Sequence, residues 1–161
     1  MIASFETVAA YGQIALFTKN GNAVFPYWTE AHIQQGFAMT TSVVSFGFPD
    51  HEGTIWIEIS LEDSLDYVPE TAIRCIEVPF SVQEEGVGLS TFDGEIDIPV
   101  PSGDYTIRFT LLPGRPVDEN WATHVVMIQI APRTTSNARI LHRDDEITAI
   151  NLIETADPLP A

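Results

Sequence analysis

The chain is poor in cations, in sulfur and in long apolar runs, and each shortage removes a class of function. Of its 161 residues 7 are basic against 23 acidic, a formal charge of −16, and Lys19 is the one lysine. Nucleic acid binding needs clustered Lys and Arg that displace counterions. The longest basic grouping, Arg139, His142 and Arg143, is answered at once by Asp144, Asp145 and Glu146. Neither direct binding of nucleic acid nor attachment to an anionic membrane is expected. Cys75 stands alone, so no intramolecular disulfide can form. No apolar run approaches the roughly 20 residues that span a bilayer. The stretch from Met1 to Glu6 lacks the basic-then-apolar pattern of a signal peptide, and N-x-S/T sequons are missing. A cytoplasmic location is expected.

The usual traces of catalysis are also missing. There is no G-x-S-x-G elbow to present a nucleophile, and His32, His51, His124 and His142 lie in separate segments. Cys75, in the run Arg74-Cys-Ile-Glu77, reads as a small semi-buried residue rather than a reactive thiol. With 23 carboxylates, some pair always sits at a glycosidase separation, so that spacing carries no information. An EF-hand starting at Asp93 needs Gly at its sixth position and Glu at its twelfth, where the chain has Ile98 and Asp104. No catalytic residue, metal ligand or cofactor is assigned, and the chain is not expected to be an enzyme.

What the sequence does have is alternation. Ile55, Ile57, Ile59 and Leu61 fall on one strand face, with Trp56, Glu58 and Ser60 on the other. Ile76, Val78, Phe80 and Val82 repeat the pattern. So do Ile96, Ile98 and Val100, with Asp93, Glu95 and Asp97 opposite, and Tyr105, Ile107, Phe109 and Leu111. Further strands are expected near residues 12 to 18, 41 to 48 and 123 to 131. Turn chemistry separates the runs at Asn20-Gly-Asn22, Pro49 to Gly53, Glu84-Glu-Gly86, Pro101 to Asp104 and Pro113-Gly114. One short helix is expected over Glu30 to Gln35, capped by Thr29 and ended by Gly36, and a second helical turn over Leu61 to Tyr67. The predicted fold is all-β, an antiparallel β-sandwich over residues 1–132 with one short helix. Residues 133–161 form a C-terminal extension, partly docked through Ile140, Ile147, Ile150 and Ile153, with the last six residues disordered.

Between Glu58 and Asp104 twelve carboxylates face one cation, Arg74. Those in turns serve solubility. The trio Asp93, Glu95 and Asp97 differs, because side chains two apart on a strand stand about 7 Å from one another on one face. Their mutual repulsion in water is only about 0.6 kcal/mol per neighbour, so a sheet tolerates them, yet the uniform sign points to a basic protein partner. Trp56 and Glu58 on their own outward face complete the expected partner-binding set: Trp56, Glu58, Asp93, Glu95 and Asp97. The rival reading is a carbohydrate- or calcium-binding sandwich module, using Trp28, Trp56 and Trp121 as stacking platforms or Asp50, Glu52, Asp63 and Asp66 as loop ligands.

Three short motifs bear on the choice. Trp28-Thr-Glu30 followed by Gly36-Phe37, then Val78-Pro-Phe-Ser-Val82 with Gly86, and finally Pro101-Ser-Gly-Asp-Tyr105 resemble, in order and spacing, the competence protein J family over about residues 11 to 131. The family inhibits the competence nuclease. The resemblance implies a small acidic cytoplasmic protein that binds and neutralises a nuclease, an activity that also suits toxin immunity. It assigns no inhibitory residue, and the motif residues themselves read as helix start, core and turn.

Overall fold

A computed structural model describes residues 2–8, 12–19, 23–48, 53–84, 86–91 and 94–159. Two sheets face each other. The first has six strands in the order β1 (Ala3–Val8), β5 (Thr54–Leu61), β10 (Asn120–Pro132), β9 (Gly103–Val117), β6 (Arg74–Val82) and β11 (Arg139–His142). The second has five, in the order β3 (Phe37–Met39), β4 (Val43–Gly47), β2 (Gln13–Thr18), β7 (Val87–Thr91) and β8 (Gly94–Ile98). Helix α1 (Glu30–Gln35) leads into β3.

The alternation in sequence becomes the two inner faces. Ile55, Ile57 and Ile59 stand beside Val126 and Ile128, which stand beside Phe109 and Leu111, which register with Ile76 and Arg74. Leu16, Val44, Phe46 and Leu89 supply the opposing layer, and Phe46 stacks on Phe109 with centroids 4.9 Å apart. Most pairs are antiparallel, but β5 and β10 run parallel. In the order β5-β10-β9-β6 the β5–β6 link must cross two strands, and Arg108 Nη1 donates to the Tyr67 carbonyl within it.

The helix forms as expected, with its C-cap Gly36 in the left-handed region at φ 83. His32 takes the place that Glu or Gln holds in a capping box: its Nδ1 accepts the Thr29 N–H at 3.0 Å. The other ring nitrogen then carries the proton and donates to the Thr155 carbonyl at 3.1 Å.

Two expectations fail for identifiable reasons. No helical turn follows Leu61, because the Glu62 N–H continues the ladder by donating to the Ile130 carbonyl. Pro113-Gly114 is not a turn. β9 continues through it to Val117 and the chain reverses at Asp118-Glu119. Proline is tolerated there because the strand has a neighbour on one side only at that point. Strands β1, β3 and β7 were not expected at all; they are short or lack a clean apolar alternation.

The extension crosses the sandwich edge and the helix. β11 pairs with β6, Asp144 holds Arg74, and Thr148 and Ala149 donate their N–H groups to Gln34 O. Buried Gln35 donates to Ile153 O and accepts from Ile153 N, both at 2.8 Å. Ile147 is buried, whereas Ile150 is 89% exposed. Of the final six residues, Asp157 O accepts from Tyr27 N and Leu159 N donates to Phe25 O. No helix among the described residues is long and apolar enough to cross a membrane.

Candidate functional site

Where the few cations go determines what kind of surface is left. Glu77 is fully buried on β6 and takes Arg108 at 2.7 Å on one oxygen and Arg139 at 2.7 Å on the other. Arg74, 2% exposed, is gripped by both oxygens of Asp144 and donates to Gly47 O. Arg115 answers Glu58, Lys19 answers Asp97, and Arg133 lies 3.9 Å from Asp104. Arg143 donates to a backbone carbonyl. Seven cations are thus occupied within the molecule, two of them deep inside it. Among the described residues, most of the carboxylates that remain are exposed and unanswered by Lys or Arg.

The expected partner-binding residues fall on two sheets. Trp56 and Glu58 lie on the outer face of the six-stranded sheet, Trp56 half-buried and Glu58 tied to Arg115 at 3.1 Å. Glu95 and Asp97 lie on β8, the edge strand of the other sheet, both exposed, with Asp97 Oδ2 3.0 Å from Lys19 Nζ. Asp93 lies outside the described residues. The facing trio therefore reduces to a described pair, and the five residues do not share one flat face.

An unforeseen residue links the two halves. Glu6, exposed on β1, is the register partner of Trp56. It also lines, with Phe5, Glu95 and Ile96, a small groove of about 100 Å³ where β1 of one sheet meets β8 of the other. Sequence reading missed it because the stretch Ala3–Val8 mixes polar and apolar residues and its pairing partner lies fifty residues away. Glu6 thus stands beside Trp56 on one side and shares a groove with Glu95 on the other, while Glu58, two residues along β5, is answered by Arg115; the Glu6–Glu95 edge is suited to meeting guanidinium and ammonium groups.

Other chemistry is poorly supplied. Among the described residues no three His, Cys, Asp or Glu side chains converge on a metal position; Asp50, His51 and Glu52 lie outside them. Burial pushes the Cys75 thiol up from its ordinary range, so at neutral pH it stays protonated, packed against Thr110. The three indoles do not gather on one platform. Trp28 packs edge-on to His32 and against Gly47, Trp56 sits on β5, and Trp121 is at the far end of the β9–β10 pair. Trp28 also walls a cleft of about 360 Å³ with Ile33, Phe48 and Arg74, whose charge Asp144 already answers.

Comparison with known proteins places this architecture. The family described as Competence protein J (ComJ) matches residues 6–131. Among solved structures, ComJ of Bacillus subtilis, an inhibitor of the DNA-degrading activity of NucA, superposes with a TM-score of 0.68 at 22% identity, covering 81% of this chain and 96% of that one. The product of crocagin biosynthetic gene J superposes with a TM-score of 0.55 at 14% identity, again covering 81% and 96%. At such identities the superpositions establish a shared fold. No curated protein sequence matches the chain.

Proposed function

This chain belongs to the competence protein J family, and from that membership we propose that it is a protein inhibitor that binds a nuclease and occludes its DNA-binding surface. The observation that carries the reading is the family match across the sandwich, joined to a surface whose charge is suited to the task. An enzyme that grips phosphates presents Arg and Lys, and a negative protein edge competes for the same groups. The contact surface of this reading is the edge formed by Trp56, Glu58, Glu95 and Asp97, extended by Glu6. Trp56 supplies the anchor and the carboxylates supply steering. No step of chemistry is required of the inhibitor itself, and its place of action is the cytoplasm.

The test is direct. DNA degradation by NucA is followed while the purified chain is titrated in. Inhibition that saturates at a fixed ratio of the two proteins, and that weakens as salt is raised, is the expected result. An undiminished rate in a large excess of the chain would falsify the reading.

A further inference from the structure

The far end of the β9–β10 pair is the part of the chain that the sandwich least requires. β6 pairs with β9 only as far as Arg74 opposite Leu111, and β5 pairs with β10 only from Ile55 opposite His124. Between Pro113 and Ala122 the two strands pair with each other alone among the described residues. The ribbon does not run on straight: Arg115 Nη2 lies 3.1 Å from Glu58 Oε1, so beyond Pro113 the pair bends back toward the outer face of the six-stranded sheet. Arg115, Pro116, Asp118, Glu119, Asn120 and Trp121 along it are all exposed, so its contribution to the core is small.

The ribbon is nonetheless built with care. At its root Gly114 admits no side chain: a Cβ there would stand 2.4 Å from Ala122 O and 2.6 Å from Thr123 O. Pro113 and Pro116 strip two N–H donors from β9, which discourages pairing with a further strand. The two-residue tip is Asp118 and Glu119, and Asp118 sits at φ 53, a left-handed conformation that Asp and Asn enter more readily than other side chains. Trp121 leaves 62% of its surface in water beside that tip. Arg115 does not answer the tip carboxylates. It turns back to Glu58, which makes the ribbon continuous with the negative edge.

We propose that this ribbon is the element that enters the DNA-binding groove of the nuclease, with the Asp118 and Glu119 carboxylates standing where phosphates stand and Trp121 packing on the groove wall. The proposal rests on the inhibitor reading and specifies how occlusion is achieved. Charge complementarity selects the occupant, since a phosphate-gripping groove offers cations to two carboxylates that no Lys or Arg among the described residues engages. Shape selects the element. A flat sheet face covers a groove, whereas a two-stranded ribbon about 5 Å between strand axes fits inside one. A Trp that can be buried on contact is also among the residues that most often anchor an interface.

The experiment compares the full chain with Trp121→Ala and with the double variant Asp118→Asn, Glu119→Gln, measuring NucA inhibition across a range of DNA concentrations. Asn keeps the tolerance for the left-handed tip, so thermal unfolding of the double variant should match that of the starting chain. The expected results are inhibition competitive with DNA, an inhibition constant raised about 30-fold by Trp121→Ala, and association slowed several-fold in the double variant with a flatter salt dependence. If both variants inhibit as the starting chain does, the ribbon is not the inserted element and the inhibitor reading stands. Inhibition indifferent to DNA concentration would overturn insertion into that groove, and a starting chain that leaves NucA untouched would sink both proposals.

Discussion

Glu77 and Glu95 are the same residue on neighbouring kinds of strand, yet they sit in opposite electrostatic worlds. Glu77 is fully buried and is met by Arg108 and Arg139 on separate oxygens. Glu95 is exposed on an edge strand with no ion pair among the described residues. The difference teaches how a chain with so few cations becomes negative outside. Three of its six arginines, Arg74, Arg108 and Arg139, are taken up by the buried or nearly buried carboxylates of Asp144 and Glu77, where an unpaired charge is intolerable, and few cations remain to compensate the exterior. The acidic surface is thus as much a matter of where Arg74 and Arg108 are placed as of how many carboxylates there are.

The sharpest way to break that comparison is to remove the buried partner. Glu77→Ala strands the Arg108 guanidinium, 4% exposed, with the distant Tyr67 carbonyl at 3.5 Å as its one remaining partner among the described residues. A cost of about 3–5 kcal/mol is expected, read as a lowered midpoint in denaturant unfolding. A drop under about 1 kcal/mol, the range of surface pairs, would mean that water reaches the site and that the two carboxylates are alike after all.

A smaller effect is expected at Gly36, where the extension meets the helix. Its φ is 83, and a Cβ would stand 2.8 Å from Ile147 Cδ1 and from Ile76 Cδ1. The left-handed backbone and the two methyl contacts together put Gly36→Ala at about 1–3 kcal/mol. The same substitution in a chain ending at Pro132 isolates the Ile147 contact, because Ile147 is then gone. A penalty unchanged by the truncation would assign the effect to the left-handed backbone and the remaining Ile76 contact, and would show that Ile147 of the extension does not press on the helix.

The sequence made the inner faces legible because apolar alternation is a local signal. Ile55, Ile57 and Ile59, and likewise Ile76 and Val78, needed no partner to be read as core. The helix was equally local, a cap at Thr29 and a stop at Gly36. What stayed hidden depends on pairing at a distance. β1 is recognisable only beside β5, and Glu6 becomes part of a site only because β1 then meets β8. Pro113-Gly114 carries ordinary turn chemistry, and nothing nearby in sequence says that β9 has lost its β6 neighbour by then, which is what lets a proline remain in the strand. The candidate site was half legible: Trp56, Glu58, Glu95 and Asp97 are outward as their parity required, but parity could not say that they lie on two different sheets.

The last prediction concerns the outer carboxylates and is defined by how little it should do to the fold. Glu95→Gln with Asp97→Asn removes two exposed charges and one ion pair whose partners are 37% and 77% exposed in their side chains. Exposed pairs contribute less than about 1 kcal/mol, and solvent screening reduces that further, so the unfolding midpoint should move very little. Relief of repulsion between two like charges about 7 Å apart works in the opposite direction and is comparably small. On the inhibitor reading, association with the nuclease should nevertheless slow, because steering depends on the summed field and not on any single contact. A variant that unfolds early would mean these carboxylates hold the β7–β8 edge together. A variant that folds and associates like its parent would mean that β8 lies outside the contact and would leave the ribbon at Asp118 and Trp121 to carry recognition.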